Sequence, residues 1–134
     1  MIGGWNSSRH QVLEMTEENR LAWMAKANLP ADRSHAVCEV YDGKIWVIGG
    51  VVGERMGSSA SVLTYNADAD AWETAPPLPS PQCVFAAATT DGRLLLCGET
   101  ALYEFKDAAW SVVDRYEERI HASHKTAGRS VLLG

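Results

Sequence analysis

The histidines are the first residues to weigh, because an imidazole can bind a metal or move a proton near neutral pH. His35 and His121 each stand two residues after an arginine, Arg33 and Arg119. The same placement twice in one chain marks a repeated scaffold position more than a unique site. His121 and His124 are three apart, a spacing that on a strand sends side chains to opposite faces and makes a poor chelate. Ser7, Ser8 and Ser34 have no base and orienting acid at nucleophile spacing, and neither Gly-x-Ser-x-Gly nor a phosphate loop occurs. Asp68, Asp70 and Asp107 fall in stretches that read as hairpin turns, where Asp is expected for turn chemistry alone. Cys38, Cys83 and Cys97 are an odd set with no Cys-x-x-Cys, which argues against a disulfide framework. They read as reduced, intracellular thiols filling small core positions. The sequence predicts no catalytic residue, no metal site and no cofactor.

Composition narrows the field further. The chain has 134 residues, one domain by length, with 46% hydrophobic and 22% charged residues. A net charge of −5 denies a nucleic-acid partner its usual electrostatic footprint. No apolar run approaches the roughly 20 residues of a membrane helix. The N-terminal Met-Ile-Gly-Gly-Trp has neither a basic nor an apolar signal region, so the expected location is cytoplasmic.

What positions the side chains is a repeat. Residues 30–50 open on Pro30 and Arg33, run through a half-apolar strand from His35 to Tyr41, reverse at Asp42-Gly43, and return through Ile45 to Ile48 before Gly49-Gly50. Asp-Gly tolerates the positive φ of a two-residue hairpin turn. Adding 49 carries Pro30 to Pro79, Asp42-Gly43 to Asp91-Gly92, Gly49 to Gly98 and Trp23 to Trp72. A shorter third copy follows at offsets of 36 to 38, with Trp110, Arg119, Gly128 and Gly134. A period near 50 built of short strands points to a propeller rather than a helical array. Residues 10–29 also carry an amphipathic helical pattern, but the register favours strands at Gln11–Met15 and Leu21–Met24. Further strands are expected from Ser61 to Tyr65, Val84 to Thr90, Leu94 to Cys97, Ala101 to Phe105, Trp110 to Val113, Ile120 to Thr126 and Arg129 to Leu133. Residues 51–60 read as a loop, and 74–82, with four prolines, as an extended connector.

Gly-Gly, an aromatic at a strand end, a Trp about seven residues on, Pro-x-x-Arg and Asp-Gly before the next Gly-Gly resemble the Kelch repeat. The resemblance spans the whole chain as one domain, 1–134, with repeats of about 3–48, 49–97 and 98–134. The third departs most, with Gly98-Glu99 for Gly-Gly and no Pro. It implies an all-β Kelch-type β-propeller: three blades' worth of four-stranded antiparallel sheets, the strand after Pro-x-x-Arg innermost and the Trp strand outermost.

The resemblance also implies a site. The Arg of Pro-x-x-Arg often lines the central pocket of such propellers, and the matching positions here are Arg33, Gln82 and Arg119. With Asn6 and Arg55 in the loops after each Gly-Gly they would form one rim of the disc, suited to acidic peptides or carboxylates. The expected function is a non-catalytic binding or scaffold module that captures a peptide or partner protein, the alternative being a sugar-active or sugar-binding Kelch propeller. Three blades are fewer than the usual four to eight. The chain is therefore expected to be a half-propeller, natural, truncated or designed, that pairs with a second copy as a six-bladed homodimer.

Overall fold

Asp-Gly pairs set the first hairpins. The computed structural model describes residues 24–53 and 57–117 in full, and by backbone alone the strands at 12–14, 122–126 and 129–133. Asp42 and Asp91 take φ of 49° with Gly43 and Gly92 at 68° and 71°, the two-residue reversal that their types foretell. Blade 1 is β4 (Val37–Tyr41), β5 (Lys44–Ile48), β8 (Val62–Asn66) and β9 (Ala71–Ala75), hydrogen-bonded in that order. Blade 2 repeats it with β10 (Val84–Thr90), β11 (Arg93–Gly98), β12 (Ala101–Lys106) and β13 (Ala109–Arg115). Two separate hairpins flank them, β1 (Val12–Glu14) with β2 (Met24–Lys26) and β14 (Ala122–Thr126) with β15 (Arg129–Leu133). All these pairings are antiparallel, and no helix occurs among the described residues. The helical alternative for residues 10–29 gives way to the β1–β2 pair where that stretch is described.

Period-two alternation divides each blade into two faces. Trp46, Ile48 and Val62 of blade 1 meet Leu94, Leu96, Tyr103, Phe105 and Trp110 of blade 2 in one core. Val47 and Leu63 point the other way and join Leu29 and Trp72 in a second cluster. Burying side chains of this size stabilises by about 1.5–3 kcal/mol each, so the shared core binds the two blades to each other. The innermost strand of blade 2, Val84-Phe-Ala-Ala-Ala, is buried or half-buried throughout, with small residues where strands crowd. Tyr41 meets Trp46 and Phe105 edge-on at the junction, and Phe105 packs tilted against Trp46, at a centroid separation of 4.9 Å, and against Trp110.

Each outer tryptophan also bonds backward. Trp110 Nε1 donates to the Pro76 carbonyl at 3.0 Å and Trp72 Nε1 to Ala27 at 2.8 Å, the acceptors being 49 residues apart. Thr89 Oγ1 donates to the carbonyl of Val40, its own counterpart one repeat earlier, at 2.8 Å.

Two details depart from the sequence reading. The strand expected from His35 begins only at Val37, because His35 sits at φ 52°. The cause is Gly50, where a Cβ would fall 2.5 Å from the Ser34 carbonyl and 2.9 Å from the Ala36 nitrogen. Chain and glycine cross at contact distance, so the strand breaks there. The second is the loop at 51–60, which contains β6 (Val51–Val52) and β7 (Gly57–Ser58), joined to β3 (Arg33–Ser34) as a three-stranded sheet in the order β3-β6-β7.

Candidate functional site

Antiparallel order brings the start of the innermost strand, the end of the second, the start of the third and the end of the fourth to one end of each blade. That end carries β3-β6-β7 and the connectors at 27–36 and 76–83. Of the five residues that the sequence placed there, Arg33 and Gln82 are described. Asn6, Arg55 and Arg119 lie outside the described residues, as do His121 and the His124 side chain.

Arg33 is 7% exposed. Its Nη1 donates to the Gly49 carbonyl at 2.5 Å and the Ser61 carbonyl at 3.2 Å, and Nη2 donates to Ser61 Oγ at 2.5 Å. One guanidinium thus ties together both ends of the excursion at residues 49–61. Burial lowers its pKa from the ordinary arginine value.

Gln82 occupies the corresponding place in blade 2 and is as buried, at 6%. Its Oε1 accepts from the Glu99 nitrogen at 3.4 Å, and its Nε2 is buried with no hydrogen-bond partner. Gly98 leaves room beneath it, since a Cβ there would fall 2.2 Å from Gln82 Oε1 and displace that amide. Glu99, standing where blade 1 has Gly50, turns its carboxylate to accept from the Cys83 nitrogen at 3.3 Å. Backbone bonds rivet the two blades at this end: Gly50 N to Gln82 O, Gln82 N to Ser59 O and Leu78 N to Ala60 O. Both described rim residues therefore bond inward, to backbone and to Ser61 Oγ, and the described exposed surface of this end is formed by β7, Gly53 and the connector residues 30–32, 80 and 81.

The opposite end holds a feature that the sequence reading missed. Tyr41, Gly92, Arg93, Glu104, Phe105, Lys106 and Asp107 line an open hollow of about 520 Å³ between the turns of the two blades. Arg93 Nε pairs with Glu104 Oε1, holding that carboxyl below the usual range. An aromatic floor under alternating charges favours no single ligand class. Its residues are brought together by cross-strand pairing in blade 2 and by the packing of Tyr41 against Phe105, and no linear spacing signals them. Tyr116, beside Cys97 on the other face of blade 2, has its phenol pushed upward chiefly by burial and stays protonated at neutral pH. Among the described residues there is no cluster of three or more His, Cys, Asp or Glu side chains fit to hold a metal, and no helix is long and apolar enough to cross a membrane.

Residues 32–79 match the Kelch motif. That stretch is a Kelch motif, and the four-stranded sheets around it have the Kelch-type propeller arrangement. The chain is 36% identical over 92 residues to human Kelch-like protein 33, covering 65% of this chain and 16% of that protein. To human Kelch repeat and BTB domain-containing protein 12 it is 29% identical over 121 residues, 73% of this chain and 19% of the relative. The chain thus spans less than a fifth of either. A solved structure titled "Structure of YjhT" superposes with a TM-score of 0.68 at 14% identity, over 86% of this chain and 47% of that one. The match shows the fold and covers about half of that longer chain.

Proposed function

We propose that this Kelch chain is a non-catalytic binding module that presents the loop end of a propeller to a partner protein or peptide, with a second copy completing its ring. The observation behind this is the fate of the rim side chains. Arg33 and Gln82, the polar groups best placed for chemistry, hold backbone in place and leave a shaped loop surface instead of a reactive pocket. Both human relatives are named for their Kelch repeats, with which a repeat-built binding module agrees. An acidic segment is the ligand suited to Arg33, Gln82, Arg119, Asn6 and Arg55 as a set. Arg33 and Gln82 act in it through the loops they fix, and Arg55 and Arg119 supply charge. The setting is the cytoplasm, where Cys38, Cys83 and Cys97, all free, stay reduced.

An acidic-peptide pull-down alongside a thermal-shift panel of sugars tests this reading. Arg55→Glu with Arg119→Glu should cut peptide capture at least tenfold. Stabilisation by a sugar, with no peptide captured, would replace it with the sugar-active alternative. Light scattering should give about twice 14.6 kDa.

A further inference from the structure

Among the described residues, four aspartates hold a positive φ: Asp42, Asp70, Asp91 and Asp107, at 47° to 50°. Two of them precede alanine and two precede glycine. That difference is chemical, because the nitrogen after an aspartate can attack the aspartate's own side chain. A methyl on the following residue crowds the attack, as at Ala71 and Ala108, whereas a glycine leaves it open. Asp42, Gly43, Asp91 and Gly92 are all exposed, and a Cβ built on either glycine meets nothing within 4 Å. Both Asp-Gly peptides therefore stand clear of the packed blades.

The folded turn restrains this reaction. Ring closure needs rotation about the aspartate Cα–C bond, which carries the glycine nitrogen onto Cγ. The residue pair that closes each hairpin opposes that rotation, so the turn must first open locally. Tyr41 and Lys44 close the turn of blade 1, and Thr90 and Arg93 that of blade 2. The residues after the two turns are held alike, Lys44 by Glu73 and Arg93 by Glu104. The residues before them are not. Tyr41 lies edge-on to Trp46 and Phe105 at 5.5 and 6.3 Å, and its carbonyl accepts from Trp46 Nε1 at 3.0 Å. Thr90 is exposed, and Leu95, at the place of Trp46, has no side-chain donor to offer its carbonyl. The blade 1 turn must break these contacts before it opens, so it opens more rarely.

We propose that Asp91-Gly92 is a modification site at which this chain converts an aspartate to isoaspartate, and that Trp46 protects the same dipeptide at Asp42-Gly43. The step balances within the chain. Gly92 N gives up its hydrogen and bonds to Asp91 Cγ. The bond from Cγ to the hydroxyl of the protonated carboxyl breaks, and one water leaves. Water then reopens the five-membered imide. Addition at Cγ restores the aspartate. Addition at the Asp91 main-chain carbonyl routes the backbone through the side chain and frees the α-carboxylate. One extra carbon then sits in the two-residue turn that sets the register of β10 on β11. The new carboxylate stands two residues from Arg93, at the edge of the hollow that Gly92 and Arg93 line. It is the group that an isoaspartate carboxyl methyltransferase esterifies with S-adenosylmethionine, which gives the class of enzyme able to act on the aged chain.

Ageing the chain for weeks at neutral pH, natively and in guanidinium, tests the assignment. Isoaspartate is read peptide by peptide by electron-based fragmentation in a mass spectrometer, and counted independently with the methyltransferase and labelled S-adenosylmethionine. In the native chain Asp91 should convert at least threefold faster than Asp42. In guanidinium the two should convert at equal rates. W46F, which keeps a ring and loses the N–H donor, should speed conversion at Asp42 alone. Equal native rates, or the same bias in guanidinium, overturn the proposal. So does a folded W46F chain whose Asp42 converts no faster. Should W46F fail to fold, the native and guanidinium rates of the unaltered chain decide the question by themselves.

Discussion

Blades 1 and 2 have the same four strands and the same pairings, yet they are held at the loop end by different residues. In blade 1 the second and third strands are joined by residues 49–61, and Arg33 grips both ends of that excursion with three hydrogen bonds. In blade 2 the same strands are joined by Glu99 and Thr100 alone, and Gln82 supplies one bond of 3.4 Å. Closing a longer loop costs more conformational entropy, and an open excursion gives its strands no help in finding register. A charged clamp on backbone carbonyls offsets that cost where it is large. A short connection restrains itself, so a weaker amide suffices. At this position the residue type follows the loop it must hold.

The strongest way to probe the comparison is through the outer tryptophans. Trp110 is buried at 9% and bonded to Pro76, whereas Trp72 is half-buried. Trp110→Ala should cost about 3–5 kcal/mol, more than Trp72→Ala under the same denaturant titration. Equal losses would mean that the two blades are equally seated.

The clamps come next. Arg33→Ala removes three charge-assisted bonds and leaves the Gly49 and Ser61 carbonyls short of a donor, a loss of about 2–4 kcal/mol. Gln82→Ala should cost only about 1 kcal/mol, since its amide supplies a single uncharged bond of 3.4 Å. The reverse order in thermal unfolding would break the link between loop length and clamp.

A smaller contrast is one of pH. Asp70 in blade 1 accepts from the Ala27 nitrogen at 2.8 Å and the Tyr65 hydroxyl at 2.6 Å, and these bonds lower its pKa from the ordinary carboxyl value, the first more than the second. A depressed folded-state pKa contributes stability that is complete above the unfolded value near 4 and lost as pH falls through the folded one. The wild type should therefore lose more stability between about pH 5 and pH 2 than Asp70→Asn does. Parallel acid-unfolding curves would show that Asp70 is no anchor. Blade 2 has Phe105 and Ala108 at these places and lacks the effect.

Ala108 gives the smallest and only stabilising change. It holds φ 61° in the turn after β12, a region that costs an alanine more than a glycine. Ala108→Gly should raise stability by about 0.5–1 kcal/mol, visible as a higher Tm.

Much of this fold was legible in the sequence because its determinants are local or periodic. Asp42-Gly43 and Asp91-Gly92 name their turns, and Trp72 and Trp110 mark the outermost strands. The 49-residue offset chose strands over helix where propensity alone was balanced. The β6–β7 pair escaped notice because Gly57-Ser58 carries neither alternation nor β-branched residues. The break at His35 escaped because its cause is the approach of Gly50 from a distant stretch. The rim was only half legible. Sequence located Arg33 and Gln82 in equivalent places, but their partners are carbonyl and amide groups, which every residue has and no residue type announces.

The backward bonds of Trp72, Trp110 and Thr89 give the molecule a hereditary grammar. In each, donor and acceptor sit at fixed positions of the unit, one on either side of a joint. A gene segment copied in tandem therefore delivers both halves of its next joint at once, with no new contact to be invented. Drift in one copy, such as Glu99 for a glycine, is judged against a neighbour that still obeys the older rule. The third copy is thus free to shorten its turns, provided that its tryptophan still finds the carbonyl left for it by the second.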